Sequence, residues 1–274
     1  MIFVEDILGW VSEYAPFRYA ADWDQCGLQV GDPRGAVERI LVALDPLSAA
    51  MGEAEERNCQ CVVTHHPLIF RPVKAVREDE YPGSLVLRAA RSGLHVIAAH
   101  TNLDAAREGT NEHLARLFSL SSLEPLESDP AFRGESLYGG MGRIGLLAAP
   151  TTLGALVGTA SGILGCSDLR VVGNPDGLVH RVALCTGSGG SLLDLAVRAG
   201  CHVFITGDVK YHDAQRAVEA GLALIDVGHF ASERLILEPL AAYLRSVAEN
   251  RRVSIQVFVA TSERDPFWIP KNTS

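Results

Sequence analysis

The chain has six cysteines, at 26, 59, 61, 166, 185 and 201, and no two of them form a C-x-x-C pair. Thiolate zinc sites are therefore not expected. A disulfide framework is not expected either, because 274 residues bury a sizeable core without staples. There is no basic leader: Met1-Ile2-Phe3-Val4-Glu5-Asp6 is acidic, and no signal peptide is expected. The longest weakly polar run, residues 153–166, has 14 residues and several glycines, too few and too loose to span a bilayer. Cations are also scarce. With 24 Lys and Arg against 33 Asp and Glu, the net charge of −9 argues against a broad nucleic-acid or anionic-membrane surface. A small anionic substrate remains compatible, since one site can be locally positive. The expected compartment is a reducing cytoplasm.

What is present is an ordinary globular composition, 47% hydrophobic and 21% charged. Apolar strand-like runs alternate with helix-like runs, which predicts an α/β fold. Ile40-Leu41-Val42-Ala43-Leu44 reads as a buried strand, residues 47–57 as a helix and Cys61-Val62-Val63 as a strand. A helix over residues 85–91 capped near Gly93 then leads into a strand over residues 95–99. The second half repeats the scheme with strands at 143–149, 182–184, 203–205 and 222–227 and helices at 191–198 and 214–219. Thr151-Thr152 caps a helix between the first two of those strands. Arg39-Ile40-Leu41-Val42-Ala43-Leu44 resembles Arg181-Val182-Ala183-Leu184, and Thr64-His65-His66 answers Thr206-Gly207-Asp208. The halves thus read as an internal duplication: lobe 1 over residues 1–118, a Pro-containing connection at 119–136 and lobe 2 over 137–274.

Metal-type donors collect at strand ends. His65-His66 follows Cys61-Val62-Val63, and active sites of α/β sheets lie at carboxyl ends of strands. Alternation along a strand would send the two imidazoles to opposite faces, one per ion. Val96-Ile97-Ala98-Ala99-His100 is followed by Asp104, and Leu224-Ile225-Asp226-Val227-Gly228-His229 by Glu233. Glu233 is expected in the first turn of a helix that runs on past residue 234. Two cations about 3.5–4 Å apart need an anionic bridge. Glu233 is the candidate bridge and Asp104 a terminal ligand, with His65, His66 and His229 completing the shells. His100 is a further ligand or orients Asp104. Two divalent ions are expected, with nitrogen and oxygen donors suiting zinc, manganese, iron, cobalt or nickel.

Gly140-Met141-Gly142-Arg143-Ile144-Gly145 matches G-x-G-x-x-G but leads into a strand, so it is not a dinucleotide fingerprint. Thr186-Gly187-Ser188-Gly189-Gly190-Ser191 lies between strand and helix, where Gly187, Gly189 and Gly190 suit either an anion cradle or a tight turn. His212 is expected in a cleft as a proton donor, with Asp208 as a second proton carrier. Arg71 and Lys74 offer a positive rim. His95 and His202 read as core or edge residues, His113 and His180 as surface residues.

Trp23-Asp24-Gln25-Cys26-Gly27-Leu28-Gln29-Val30-Gly31, Thr64-His65-His66-Pro67-Leu68-Ile69-Phe70, His100-Thr101-Asn102-Leu103-Asp104, Thr206-Gly207-Asp208 with His212, and Gly228-His229-Phe230-Ala231-Ser232-Glu233 together resemble the GTP cyclohydrolase 1 type 2 family, the dinuclear-metal-centre hexameric proteins. The resemblance runs over residues 23–233 in order. It implies two related, intertwined three-layer α/β lobes with a dimetal site in the cleft between them, no inserted middle domain, and a homohexameric ring. It carries metal ligation onto His65, His66, Asp104, His229 and Glu233, with His100 beside them. Gln25-Cys26 departs from a more usual Asn-Val, and Asp208 stands where many members have Glu. The implied activity is metal-dependent hydrolysis, opening the imidazole ring of GTP by a metal-bound hydroxide. A dimetal phosphoesterase, or a metal-handling ring protein without catalysis, are the alternatives.

Overall fold

The computed structural model describes residues 1–128, 139–166 and 168–268. The order of elements from the N-terminus is β1 (Ile2–Phe3), α1 (Val4–Tyr14), β2 (Gly27–Val30), β3 (Ala36–Val37), β4 (Arg39–Ala43), α2 (Ser48–Glu56), β5 (Cys61–Thr64), α3 (Gly83–Ser92) and β6 (His95–Ala98). The short α4 (Thr101–Ala105) and α5 (Thr110–Leu117) come next. Then follow β7 (Ser121–Ser128), β8 (Gly140–Thr152), α6 (Leu153–Leu164), β9 (Arg170–Val172), β10 (Leu178–Ser188), α7 (Leu193–Arg198), β11 (Val203–Gly207), α8 (Tyr211–Ala220) and β12 (Ala223–Asp226). The chain closes with α9 (His229–Glu233), α10 (Leu237–Asn250) and β13 (Gln256–Val259).

These elements form two compact units. The first comprises Met1–Leu103 with Ile236–Arg264, so α10 and β13 return to it; the second comprises Asp104–Leu235 with the described residues from Asp265. The segment 119–136, read as a connection, begins with strand β7, and its residues 129–136 lie outside the described ones.

The sheet of the first unit has the order β13-β4-β5-β6-β2, parallel except for β2. Ile40, Leu41, Val42 and Ala43 are all fully buried, as a parallel strand covered on both faces requires. On one face Leu41, Ala43, Val62 and Val96 pack against Ala50, Met51 and Ala54 of α2 and Leu85 and Ala89 of α3. The i, i+4 spacing of Leu85 and Ala89 makes the buried stripe of α3, and Gly93 ends that helix at φ 67°, a conformation open to glycine. The opposite face is covered by α10, which packs along β4 and β13. Burial on this scale makes a Leu41→Ala change worth about 2–5 kcal/mol.

The sheet of the second unit has the order β7-β8-β10-β11-β12-β9. Alternate residues of its strands feed two cores. Val182, Leu184, Val203, Ile205 and Ile225 meet α5 and α6, while Ala183, Phe204, Leu222 and Leu224 meet α7 and α8. The fold is α/β, with helices on both faces of this sheet. Thr152 accepts a bond from the Ala155 amide at 3.2 Å, the expected cap of α6.

The duplication is present in the topology. The set β4-β5-β6-β2 has three parallel strands and an antiparallel edge, and β10-β11-β12-β9 repeats it. The register nevertheless sets the two histidine–carboxylate motifs apart. Thr64 pairs with Ala98 and Thr206 with Asp226. Counted from those pairs, His100 corresponds to Gly228 and His229 to Thr101. The two histidine–carboxylate motifs are one residue out of step, about 100° around a helix. Among the described residues, no helix is long and apolar enough to cross a membrane.

Candidate metal centre

In the first unit three imidazoles meet. His65 and His66 follow β5, with their amides continuing the ladder onto the carbonyls of Ala43 and Leu44. The Thr64 hydroxyl donates to the His66 carbonyl at 2.7 Å, which ends the strand. Alternation therefore does not separate the two side chains: their ring centroids are 4.9 Å apart, and each lies 5.1–5.5 Å from His100 at the end of β6. The ligand atoms of His65, His66 and His100 lie within 4.8 Å of one another, a group that could hold a metal ion.

Each ring is fixed through Nδ1. His65 Nδ1 is 3.1 Å from the carbonyl oxygen of Ala99, His66 Nδ1 is 2.8 Å from Asp45 Oδ1, and His100 Nδ1 is 2.9 Å from Asp24 Oδ1. A carbonyl or carboxylate oxygen only accepts, so Nδ1 is the donor in each ring and Nε2 is the atom that would meet a cation. Asp24 is itself well built. Burial would raise its pKa, but His100, the Thr101 hydroxyl and the Cys26 thiol donate to it and hold it well below the usual carboxylate range. Asp45 is fixed in turn by the chain's C-terminal segment: Glu263 accepts from the amides of Leu44 and Asp45 at 2.9 and 2.7 Å.

The second unit holds its own carboxylates and an imidazole. Asp104 lies on α4 with 6% exposure. Thr110 donates to its Oδ1, and the Asn111 side-chain amide donates to its backbone carbonyl at 3.1 Å. The buried guanidinium of Arg143 donates to the carbonyls of Ala105 and Ala106, the two residues after Asp104, and to those of Gly140 and Gly142. His229 opens α9, and Glu233 closes it, one helical turn away on the same face. The expectation that Glu233 sits in the first turn of the longer helix is corrected, because α10 starts only at Leu237.

His229 carries the observation that tests a metal. Its Nδ1 is 2.7 Å from Asp208 Oδ2, and its Nε2 is 3.0 Å from Glu233 Oε2. A neutral imidazole has one proton for two carboxylate oxygens. The second contact sets lone pair against lone pair unless a proton or a cation is shared there. Nitrogen and oxygen donors so arranged fit a borderline divalent ion. The thiols do not compete: burial pushes Cys61 and Cys185 far above their ordinary range, leaving no thiolate.

The remaining expected residues fall elsewhere or act differently. Asp208, at φ 54°, orients His229 through Nδ1. The Gly187 amide donates to the Ser232 hydroxyl and the Gly189 amide to the Thr206 hydroxyl, so both are engaged within the turn. The helical turn after them, Gly190–Leu192, has only three residues. His212 is exposed on α8 with its Nδ1 3.1 Å from Gln215 and its ring against Tyr211. Arg71 and Lys74 are exposed in the segment between β5 and α3. His95 and His202 each accept from backbone amides at strand edges.

Sequence reasoning missed Asp24 and Asp45 as partners of the imidazoles. A signal existed for Asp45, a carboxylate directly after an apolar strand. Asp24 stood inside a quoted motif with no role given.

A family model described as Duf34/NIF3 (NGG1p interacting factor 3) matches residues 2–266. A Streptomyces coelicolor protein called "GTP cyclohydrolase 1 type 2 homolog" is 33% identical, over 92% of this chain and 89% of the relative. A Lactococcus lactis protein of the same description is 30% identical, over 97% and 98%. A solved Bacillus cereus protein related to NIF3 superposes with a TM-score of 0.90 at 22% identity, covering 98% of this chain and 99% of the other, which is a likeness of fold.

Proposed function

We propose, since this chain belongs to the Duf34/NIF3 family, that it is a metal-dependent hydrolase acting on a guanine nucleotide. His65, His66, His100, Asp104, His229 and Glu233 would serve one dinuclear centre as its donors. The supporting observation is that four imidazoles have Nδ1 committed to acceptor-only oxygens. In such a centre their Nε2 atoms would be the ligating ones. Divalent ions held by these donors would lower the pKa of a bound water toward about 7 and polarise the substrate.

The chain's own groups do the rest. Ala99, Asp24, Asp45 and Asp208 keep the imidazole protons on Nδ1. Glu233 faces His229 and brings negative charge where two cations would repel. Arg71 and Lys74 would attract the phosphates of an anionic substrate, and His212 would serve in proton exchange. In the reaction one water adds its oxygen to C8 of the guanine, the imidazole ring opens and N9 takes a proton. A second water would release C8 as formate, leaving N7 as an amine. Rearrangement of the N9-linked ribose to its 2′-ketone and condensation of that ketone with the amine, with loss of one water, would close the dihydropterin ring. Assembly as a homohexamer in the cytoplasm completes the proposal.

The test is elemental analysis of purified protein followed by a GTP assay after reloading with zinc, manganese, iron, cobalt or nickel. Two equivalents of metal per chain with formate and a dihydroneopterin product support the reading. Phosphate release without pterin would make the protein a phosphoesterase, and metal exchange with no turnover a metal-handling protein.

A further inference from the structure

Two large aromatic rings stand open to solvent beside the histidine cluster of the first unit. Trp23 is 60% exposed and Phe70 45% exposed. Both contact the imidazole of His100 edge-on, at centroid distances of 6.2 and 6.1 Å and interplanar angles of 75° and 74°. They also meet each other at 5.9 Å and 69°. Among the described residues, neither ring belongs to the buried core.

The pair is held rather than loose. Gln29 accepts from the amide of Ile69, the residue before Phe70, at 2.6 Å, and its own side-chain amide donates to the carbonyl of Gln25. That glutamine ties the Phe70 loop to the segment carrying Trp23. Asp24, next to Trp23, is locked by His100 and Thr101. Apolar faces that remain hydrated beside a polar donor cluster suit a ligand that is flat and apolar on its faces and polar at its edge. Arg71, directly after Phe70, and Lys74 add cations for an anionic tail.

We propose that Trp23 and Phe70, set edge-on to His100, form the stacking platform that selects a planar heteroaromatic ring in the substrate. The inference rests on the functional reading above for the identity of the neighbouring site and adds the residues that read the ring. Stacking on an aromatic face tolerates different ring systems, because each has a π-face. The platform therefore selects for flat heterocycles as a class, and the edge contacts choose among them.

The experiment is equilibrium binding to metal-loaded full-length protein by calorimetry. The probes are GTP, ATP and flavin mononucleotide, with inorganic triphosphate and ribose 5-phosphate as controls that lack the ring. Trp23→Leu and Phe70→Leu should each weaken the bound heterocycle about tenfold or more, whereas Trp23→Phe should stay within about threefold of wild type. Metal content and the affinity of the ring-free controls should not change. An unchanged heterocycle affinity in Trp23→Leu, an equal loss for triphosphate, or no binding of any of the three heterocycles would overturn the platform. So would a change confined to the sedimenting mass, which would assign the rings to contacts between copies of the chain. The two readings fail separately. Ring-dependent binding without formate release leaves the platform and removes the cyclohydrolase, and formate release indifferent to Trp23→Leu does the reverse.

Discussion

Glu233 Oε1 fills the space beside the α-carbon of Gly187: a Cβ built on that glycine would stand 2.0 Å from the carboxylate oxygen and 3.3 Å from His229 Nε2. The backbone there has φ 62°, which adds a conformational reason for glycine.

Gly187→Ala should therefore push the Glu233 carboxylate away from His229. The expected outcome is a folded protein, destabilised by about 1–2 kcal/mol through the left-handed backbone, with clearly reduced metal uptake. Circular dichroism melts read the first effect and elemental analysis after dialysis against zinc the second. Full metal retention would contradict it.

The hydrogen bond from His66 to Asp45 should matter to metal affinity without touching the metal. Asp45→Ala should lower affinity about 10- to 100-fold. Asp45→Asn, whose carbonyl still accepts from Nδ1, should retain a larger part of it. Competition against a chromogenic chelator measures both, and equal affinities in all three proteins would refute the role.

Arg143 is 1% exposed and lies 3.4 Å from Glu112, which also pairs with Arg116 at 2.8 Å. Burial lowers the pKa of Arg143, and Glu112 opposes that. Arg143→Met would strand a buried carboxylate and four carbonyls, at a cost of about 3–5 kcal/mol. The lower end is expected because Arg116 remains. Urea denaturation gives the value. The change also frees the carbonyls of Ala105 and Ala106, so a parallel loss of metal should accompany it.

Glu53 is 7% exposed and accepts from the amides of Thr261 and Ser262 and from the Arg57 guanidinium. Burial would raise its pKa, but these donors lower it from 4.5 to about 2. A depressed carboxyl stabilises the fold above its unfolded pKa. That contribution, about 2–4 kcal/mol, is present above pH 4.5 and fades as the pH falls toward 2. Glu53→Gln should lower the melting temperature at pH 7 and narrow its gap to wild type near pH 2–3. A gap that stays constant with pH would refute the assignment.

The elements of the core were legible because burial leaves a pattern in one dimension. Ile40-Leu41-Val42-Ala43 had to be covered on both faces, and Gly93 stood where a helix ends. Two readings failed for a shared reason. The separation of His65 from His66 assumed a strand that Thr64 in fact terminates, and the place of Glu233 assumed a helix that breaks at Arg234. Element ends shift by a residue or two for local reasons that periodicity does not register.

The sequence alone determined the class of the fold, its repeated succession of strands and helices and the residue types able to hold a cation, because each follows from local pattern and donor chemistry. Only the tertiary structure decided which acceptor fixes which imidazole. Asp24 reaches His100 across 76 residues, and Asp45 and Asp208 each reach their histidine across 21. Such pairings depend on strand order, register and the directions of side chains beyond the strand ends, and no spacing along one chain encodes them.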